Sequence, residues 1–289
     1  MKVSGMKVNS NSEIIWLVGA SSGIGEALVR ALNKHRSTIF ISARNEEALN
    51  EIAHVANATV EVLPLDVTDA ASVNLAAEQI RQRVGRLDQV IVNAGTCEYI
   101  DSDEIDMNAV KRVMDTNFWG ALNIINAALP LLKASFETNP NKPPQLAVMS
   151  SSVTYQALPR AGAYGASKAA LRYFVESLKL DLQHEGIDIR VISPGFVKTP
   201  LTDKNDFEMP FIVDADKAAE RIVTGLKSNQ FDIHFPARFT RMLKAISILP
   251  DAIRFKLVGK ASRHHERRNI VSEKPAVCAD HAHTDIRRS

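Results

Sequence analysis

The sequence predicts an α/β protein with a doubly wound parallel sheet of about seven strands and helices on both faces. Three observations support this prediction. Short β-rich runs alternate with longer amphipathic stretches along most of the chain, as in repeated β–α–β units. Several of the short runs, such as Val90-Ile91-Val92, are apolar throughout, which is typical of strands covered on both faces. A glycine-rich turn at 19–25 joins the first run to the first amphipathic stretch.

The predicted strands are runs rich in β-branched and aromatic residues, at 13–18, 37–42, 59–65, 88–92, 145–150, 188–193 and 231–235. The predicted helices are longer amphipathic stretches, near 24–34, 45–56, 69–84, 104–136, 162–184 and 214–228. The proline-rich segment 139–144 ends the longest helix, because proline lacks an N–H donor and the residue before it avoids helical geometry. The next strand then begins at Gln145.

The chain contains no internal repeat, and no linker divides it before about residue 236. We therefore expect one domain over 13–236, preceded by a flexible N-terminus at 1–12. Residues 237–260 mix apolar and basic side chains, and we expect this amphipathic extension to pack over the domain or at a subunit contact rather than on a membrane surface. Residues 261–289 are rich in His and Arg and poor in apolar residues, so they are expected to form a disordered basic tail.

The composition is that of a globular protein, with 289 residues, 45% hydrophobic and 24% charged. The net charge of +2 is concentrated at the end of the chain, where residues 254–289 hold nine Lys/Arg and four Asp/Glu. The rest is slightly acidic, so no nucleic-acid partner is indicated. Two cysteines, Cys97 and Cys278, are too few for a disulfide framework or a zinc cluster, and we assign no metal. Without a secretory signal or a membrane-length apolar run, a cytoplasmic protein is expected.

The glycine-rich segment 19–25 has the spacing G-x-x-x-G-x-G and lies between the first strand and the first helix. The N–H groups and the dipole of a helix N-terminus attract phosphate. Glycine at these positions lets a phosphate approach the backbone without a Cβ in the way. The segment is therefore predicted to hold the phosphates of a dinucleotide.

Two other interpretations of this segment remain open. Residues 19–23 also match G-x-S-x-G, the nucleophile turn of serine hydrolases, which would make Ser21 a nucleophile. That class needs strands upstream to supply an oxyanion loop, whereas only one predicted strand precedes this turn. The segment could also be a tight strand-to-helix turn that binds no ligand.

A second pattern lies downstream, where Tyr164 and Lys168 are four residues apart in a predicted helix. Residues i and i+4 share a helix face, so the phenol and the ammonium can address one site. A free tyrosine titrates near pH 10, and we expect the lysine charge and an oxidised nicotinamide ring to lower that value. Tyr164 is then a candidate general acid for reduction and a candidate base for oxidation.

From Ile14 to Thr199 the chain resembles the short-chain dehydrogenase/reductase family. The motifs that carry the resemblance occur in order: Gly19/Gly23/Gly25, Asp66, Asn93-Ala94-Gly95, Asn117, Ser151, Tyr164 with Lys168, and Pro194-Gly195. The resemblance implies a Rossmann-like, nicotinamide-dependent enzyme that transfers a hydride between the coenzyme and a carbonyl carbon. One departure is Val18, where the family usually has Thr, so a hydroxyl that would brace the glycine loop is missing.

The resemblance also implies roles for individual residues. Ser151 would hydrogen-bond the substrate carbonyl. Its neighbours Ser150 and Ser152 could also face the site, and the spacing to Tyr164 is what favours Ser151 for this role. Lys168 would also hold the nicotinamide ribose. Asn117 would steady a water that refills the proton relay, or it could merely interrupt a helix by bonding its own backbone.

Arg44 indicates which nicotinamide coenzyme is preferred. An NAD enzyme of this fold would place an acidic residue at the end of the second strand. This chain has Arg44 there instead, and a guanidinium suits a 2′-phosphate, so NADP is favoured over NAD unless Arg44 simply lies in solvent. The other predicted coenzyme contacts are Gly19, Ser21, Ser22, Gly23, Ile24, Gly25, Asp66, Val67, Asn93, Ala94, Gly95, Tyr164, Lys168, Pro194, Gly195, Val197 and Thr199.

The sequence thus favours an NADP(H)-dependent oxidoreductase that interconverts a small-molecule carbonyl and an alcohol. The alternatives are a catalytically silent dinucleotide-binding scaffold or sensor, and a serine hydrolase. Residues 201–214 fall where the family places a substrate lid, and 97–99 and 153–158 are expected to form further pocket wall. The resemblance also implies a homodimer or homotetramer paired through the two long helices.

Overall fold

A computed structural model describes residues 12–32, 37–56, 59–100 and 105–259. The predictions for residues 1–11 and for the tail at 261–289, including Cys278, lie outside the described residues. The described chain divides into two compact units, one ending at Ile248 and one beginning at Leu249.

The strands are β1 (Glu13–Val18), β2 (Ser37–Ser42), β3 (Thr59–Val62), β4 (Gln89–Val92), β5 (Gln145–Met149), β6 (Asp188–Pro194), β7 (Val197–Lys198), β8 (Val213–Asp214) and β9 (Asp232–Phe235). The α-helices are α1 (Gly23–Leu32), α2 (Glu46–Val55), α3 (Ala70–Val84), α4 (Met107–Met114), α5 (Gly120–Thr138), α6 (Gly162–Asp181), α7 (Ala215–Leu226), α8 (Ala237–Ser247) and α9 (Asp251–Gly259).

Within the described residues, seven strands form one parallel sheet in the order β3-β2-β1-β4-β5-β6-β9. The chain runs outward from β1 to β3 and then returns to place β4 on the other side of β1. The order therefore reverses between β1 and β4, and their carboxyl ends meet in the register Val18 to Val92. In open parallel sheets this switch point is where ligands bind. The prediction of a doubly wound sheet is confirmed.

Both faces of the sheet are covered, as its apolar strands require. Side chains alternate along β1, so Ile14, Trp16 and Val18 pack on a layer built from α3, α5 and α6. Ile15 and Leu17 pack on the opposite layer, built from α1, α2 and α7. All five are at most 1% exposed, and the central strand is therefore a rigid support for the loops at its carboxyl end.

Two predicted elements differ from the structure. The predicted helix 104–136 is α4 and α5 joined by a π-helical turn at Asp115–Trp119. The third strand ends at Val62 rather than at residue 65, although the backbone stays beside β2, where the Leu63 N–H donates to the Ile41 carbonyl oxygen at 2.9 Å. The short pair β7–β8 forms a second, two-stranded sheet that brackets residues 199–212.

The segment after β9 contains two helices with different burial. Helix α8 buries Phe239, Thr240 and Leu243 on one face. In α9 the apolar side chains of Ile253, Phe255 and Leu257 are exposed. Among the described residues, no helix combines the length and the apolar character needed to cross a membrane.

Candidate active site

A cleft of about 850 Å³ opens at the carboxyl ends of β1, β4, β5 and β6. Its volume is in the range of sites that bury a whole small-molecule ligand. Every predicted site residue lines this cleft except Gly25 and Asn117. These two lie directly behind its wall, where each contacts a residue that does line it.

The glycine loop is held against the loop after β4. Gly19 has a φ of +89°, which favours glycine, and a Cβ there would collide with the backbone of Ala94. A Cβ on Gly25 would collide with the Gly19 carbonyl oxygen, to which the Asn93 side-chain amide donates a hydrogen bond of 2.7 Å. The loop is thus closely packed from behind, while Ser22 at its front is exposed at the N-terminus of α1.

The far end of the cleft combines a cation with a carboxylate. Arg44 is exposed on the cleft wall after β2. Burial raises the pKa of Asp66, but hydrogen bonds from the Thr68 backbone N–H (2.9 Å) and hydroxyl (2.8 Å), together with the Arg44 charge, bring that pKa below its usual value. Val67 is buried against Gly120. Asp66 therefore stays anionic and braces its own turn.

Ser151 and Tyr164 both line the cleft, and the Ser151 hydroxyl acts on the Tyr164 phenol to lower its pKa. Ser151 caps a short 3₁₀ turn (Ser152–Thr154), and its oxygen accepts the Val153 backbone N–H at 3.2 Å. Of its neighbours, Ser150 donates to the Lys168 carbonyl oxygen at 3.4 Å, and Ser152 is buried within the turn. Ser151 is thus the member of the serine triplet that contacts the phenol.

The pKa of Tyr164 differs from the sequence-based expectation. Desolvation in the cleft raises it to about 12, and the Ser151 hydroxyl only partly offsets this effect. Lys168 is 3% exposed, and burial lowers its pKa to about 8. Its Nζ donates to the Met149 carbonyl oxygen at 2.9 Å. The expectation that the lysine charge lowers the Tyr164 pKa is not met by the protein groups alone, because desolvation dominates.

Asn117 lies in the π-helical turn and is completely buried. Its Oδ1 accepts the Thr96 backbone N–H at 2.8 Å, and its Nδ2 donates to the Thr96 carbonyl oxygen (2.8 Å) and to the Ser167 hydroxyl (3.0 Å). It does not bond its own backbone. A π turn adds one residue to the helical ladder, and such turns are frequent at functional sites. Here the turn points Asn117 at the loop after β4.

The last wall of the cleft comes from the segment after β6. Pro194, Gly195, Val197 and Thr199 all line it, and a Cβ on Gly195 would press on Phe239 of α8 at 2.8 Å. Thr199 packs beside Gly23, so this segment meets the glycine loop across the cleft.

Aromatic rings connect the predicted lid to the loop after β4. Phe207 packs edge-on against Tyr99 at 5.3 Å and against Phe196 at 5.9 Å between ring centroids. Beside them Asp206 accepts a hydrogen bond of 2.8 Å from Arg160. Residues 199–212 are therefore tied down at both sides of the site.

Sequence reasoning missed Arg112, Asp115 and Thr116, which also line the cleft. Arg112 forms a two-pronged ion pair with Glu98, at 3.0 and 2.7 Å. Arg112, Asp115 and Thr116 come just before Asn117 in the sequence, and this position was a signal that could have found them.

Tyr155, expected in the pocket wall or at the surface, instead donates to Asp232 at 2.6 Å and does not line the cleft. Within the described residues the cleft lining contains no histidine, the usual base for a serine nucleophile such as Ser21.

The sequence matches the model of the family described as short chain dehydrogenase over residues 13–209, more than half of the chain. This chain belongs to the short-chain dehydrogenase family. The family assignment makes it an oxidoreductase of the nicotinamide-dependent class, and the resemblance seen in the motifs is confirmed.

This short-chain dehydrogenase has curated relatives in several organisms. It is 32% identical over 240 residues to an uncharacterized oxidoreductase of Myxococcus xanthus, covering 82% of this chain and 92% of the relative. It is 33% identical over 195 residues to 11-beta-hydroxysteroid dehydrogenase A of Sesamum indicum, covering 66% of this chain and 54% of the relative.

The fold of this short-chain dehydrogenase also matches solved structures. One is a short chain dehydrogenase from Burkholderia cenocepacia in complex with NADP, with a TM-score of 0.74 and 21% identity, covering 88% of this chain and 99% of that one. At this identity the match shows the shared fold.

Proposed function

We propose that the protein is an NADP(H)-dependent oxidoreductase that interconverts a carbonyl and an alcohol, with Tyr164 as general acid in reduction and as base in oxidation. One observation carries the proposal: Ser151 and Tyr164 line the same cleft as the glycine loop, and the Ser151 hydroxyl lowers the pKa of the Tyr164 phenol. A carbonyl oxygen that accepts from both hydroxyls would lie within reach of a coenzyme held by that loop.

The residues of the cleft fit a nicotinamide dinucleotide. The closely packed glycines leave backbone N–H groups free of side chains at the N-terminus of α1, as a pyrophosphate requires. Arg44 supplies an exposed guanidinium after β2, where an NAD enzyme would need a carboxylate. Solved relatives of the same fold in complex with NADP are consistent with this choice. We therefore propose NADP rather than NAD.

In reduction, the bound coenzyme supplies the hydride and the protein supplies the proton. Ser151 would hold the substrate carbonyl oxygen, and Tyr164 would donate its phenolic proton to that oxygen. A pKa near 12 keeps the phenol protonated at neutral pH, which suits the acid role. Lys168 would hold the nicotinamide ribose, and we propose that Asn117 acts by holding the loop that carries Gly95 and Thr96 in place.

Oxidation of an alcohol needs the opposite proton movement. Tyr164 must first lose its proton, and desolvation opposes this in the protein alone. Two positive charges would favour the phenolate, those of protonated Lys168 and of an oxidised nicotinamide ring. We therefore propose that oxidation depends on these two charges, whereas reduction uses the phenol in its protonated form.

The surroundings of the cleft support an apolar small-molecule substrate. The Phe207 ring, in the predicted lid, packs on the rings of Tyr99 and Phe196. The named activity of the sesame relative makes steroid ketones a suitable part of a substrate panel.

A homodimer or homotetramer paired through α5 and α6 is also proposed, since Trp119 and Tyr173 are 56% and 77% exposed beside that face. The cytoplasmic location stays a prediction.

The test is NADPH oxidation by the wild type with a panel of aliphatic, aromatic and steroid ketones, repeated with NADH. We expect turnover of at least one ketone, faster with NADPH, and its loss in Ser151→Ala. NADPH binding without turnover of any carbonyl or alcohol would favour the scaffold or sensor. Ester hydrolysis that is lost in Ser21→Ala would favour the hydrolase.

A further inference from the structure

A polar cluster lies outside the cleft, between the Ser151 turn and the end of the sheet. It consists of Tyr155, Arg172, Asp232 and Lys244, which we call the Asp232 cluster. The Asp232 side chain is 14% exposed, and that of Arg172 is 21% exposed. None of these residues lines the cleft, and none is used by the proposed chemistry.

One carboxylate oxygen collects the contacts of this cluster. Asp232 Oδ2 accepts from the Tyr155 hydroxyl at 2.6 Å, from Arg172 at 3.1 Å and from Lys244 at 3.4 Å. Both cations also contact the Tyr155 ring, with the Arg172 guanidinium 5.4 Å and the Lys244 ammonium 4.4 Å from its centroid. These contacts leave the Tyr155 ring little freedom to move.

Two members of the cluster, Tyr155 and Arg172, are close in sequence to residues of the site. Tyr155 ends the 3₁₀ turn that Ser151 begins. Arg172 lies on α6 one turn after Lys168 and two turns after Tyr164. Arg172 also donates to the Ser193 hydroxyl at 3.4 Å, directly before Pro194. The cluster therefore joins three segments of the site: the Ser151 turn, helix α6 with Tyr164 and Lys168, and the end of β6 before Pro194.

Stability alone is a weak reason for such a cluster. Burying charged groups costs desolvation free energy, and apolar residues of similar size often stabilise a protein equally well. A shared carboxylate does, however, fix the geometry between segments that are distant in sequence. The hydrogen bond between Tyr155 and Asp232 spans 77 residues of sequence.

We propose that Tyr155, held by Asp232 and Arg172, is a positioning residue that fixes the Ser151 turn relative to Tyr164. Without the Tyr155 hydroxyl, the C-terminal end of the turn loses its tie to the sheet. Ser151 at its other end then holds the substrate oxygen and the Tyr164 hydroxyl less well. The kinetic consequence rests on the proposed function, whereas the structural one does not.

The experiment compares Tyr155→Phe with Thr224→Val, a control that removes an exposed hydroxyl on α7 that donates only within its own helix, to the Glu220 carbonyl oxygen. Hydrogen exchange is measured at the backbone amides of residues 153–155 in the protein without substrate. We expect about tenfold faster exchange in Tyr155→Phe and no change in the control. With NADPH and a ketone, kcat should fall tenfold or more, while KM and the NADPH dissociation constant change less than twofold.

The outcomes separate the two proposals. Unchanged exchange at 153–155 in Tyr155→Phe overturns the positioning role whatever the activity, and so does faster exchange with an unchanged kcat. A loss of kcat matched by an equal rise in KM would also overturn it. If the wild type turns over no carbonyl, the proposed function fails. Faster exchange confined to Tyr155→Phe would still support the positioning role of Tyr155. Asp232→Asn provides a second variant that should give the same exchange pattern.

Discussion

The side-chain amide of Asn117 and the backbone of Thr96 form two hydrogen bonds with each other, each 2.8 Å long. Through this pair a π-helical turn in one layer of helices fixes the loop that follows a central strand. The same loop contains Gly95, at which a Cβ would lie 3.3 Å from the Lys168 ammonium. The position of Asn117 thus determines how closely that loop approaches Lys168.

Asn117→Ala should destabilise the protein by about 2 kcal/mol, because it leaves the N–H and carbonyl of Thr96 without their partners. NADPH affinity should also fall, since the loop lines the cleft. Urea denaturation and coenzyme titration measure both effects. Asn108→Ala, at an exposed position of α4, is the matched control and should change the stability by less than about 0.5 kcal/mol. Equal effects of the two variants would contradict the bracing role.

Gly25→Ala should weaken NADPH binding at least tenfold and lower the free energy of unfolding by about 2–3 kcal/mol. The added Cβ would collide with the Gly19 carbonyl oxygen and push the glycine loop into the cleft. Gly162→Ala adds the same methyl group where nothing lies within 4 Å, and it should leave both quantities unchanged. Normal coenzyme binding by Gly25→Ala would show that the loop does not need its close packing.

Arg44→Ala should weaken the binding of NADPH about 10- to 100-fold, because a charge-assisted contact to the 2′-phosphate is lost. The affinity for NADH, which lacks that phosphate, should not change. Fluorescence titration with both coenzymes gives the two dissociation constants, and Arg241→Ala, at an exposed position of α8, controls for the loss of one surface charge. An unchanged ratio of the two constants would remove Arg44 from the explanation of coenzyme preference.

Lys168→Met should change how stability depends on pH. Burial lowers the Lys168 pKa from 10.5 to about 8, so between those values the unfolded chain binds more protons than the folded protein. The stability of the wild type therefore gains a contribution that rises with pH from about 8 to 10.5, and the variant lacks it. The difference in unfolding free energy between the two should shift by about 2 kcal/mol in favour of the wild type from pH 7 to pH 9.5. A constant difference would mean that the Lys168 pKa is not lowered.

Local pattern was enough to predict the sheet and most of the cleft. Apolar runs such as 90–92 could only be strands covered on both faces, and the ends of such strands place their polar neighbours at one edge. The motif residues that line the cleft all follow those strand ends or lie on α6, where a four-residue spacing defines a face. For this reason the amino-acid sequence is sufficient to predict that Tyr164 and Lys168 line one cleft.

The remaining features depend on contacts distant in sequence. The sequence analysis predicts one helix over 104–136, whereas the structure has a π-helical turn at Asp115–Trp119 that contains Asn117. Tyr155 bonds to Asp232, and no local pattern connects the two. The pKa of Tyr164 depends on how much protein surrounds the phenol, which neither its own helix nor the lysine four residues later reveals.

The most direct test of the proposed chemistry is the rate of ketone reduction by Tyr164→Phe, measured with saturating NADPH alongside an independent titration of coenzyme binding. We predict that the rate falls by about 100-fold or more, because the proton donor is removed, while the NADPH dissociation constant stays within twofold of the wild-type value. Thr224→Val, which removes an exposed hydroxyl on α7, should match the wild type in both measurements. Reduction by Tyr164→Phe at the wild-type rate, with coenzyme bound, would contradict the assignment of Tyr164 as the acid.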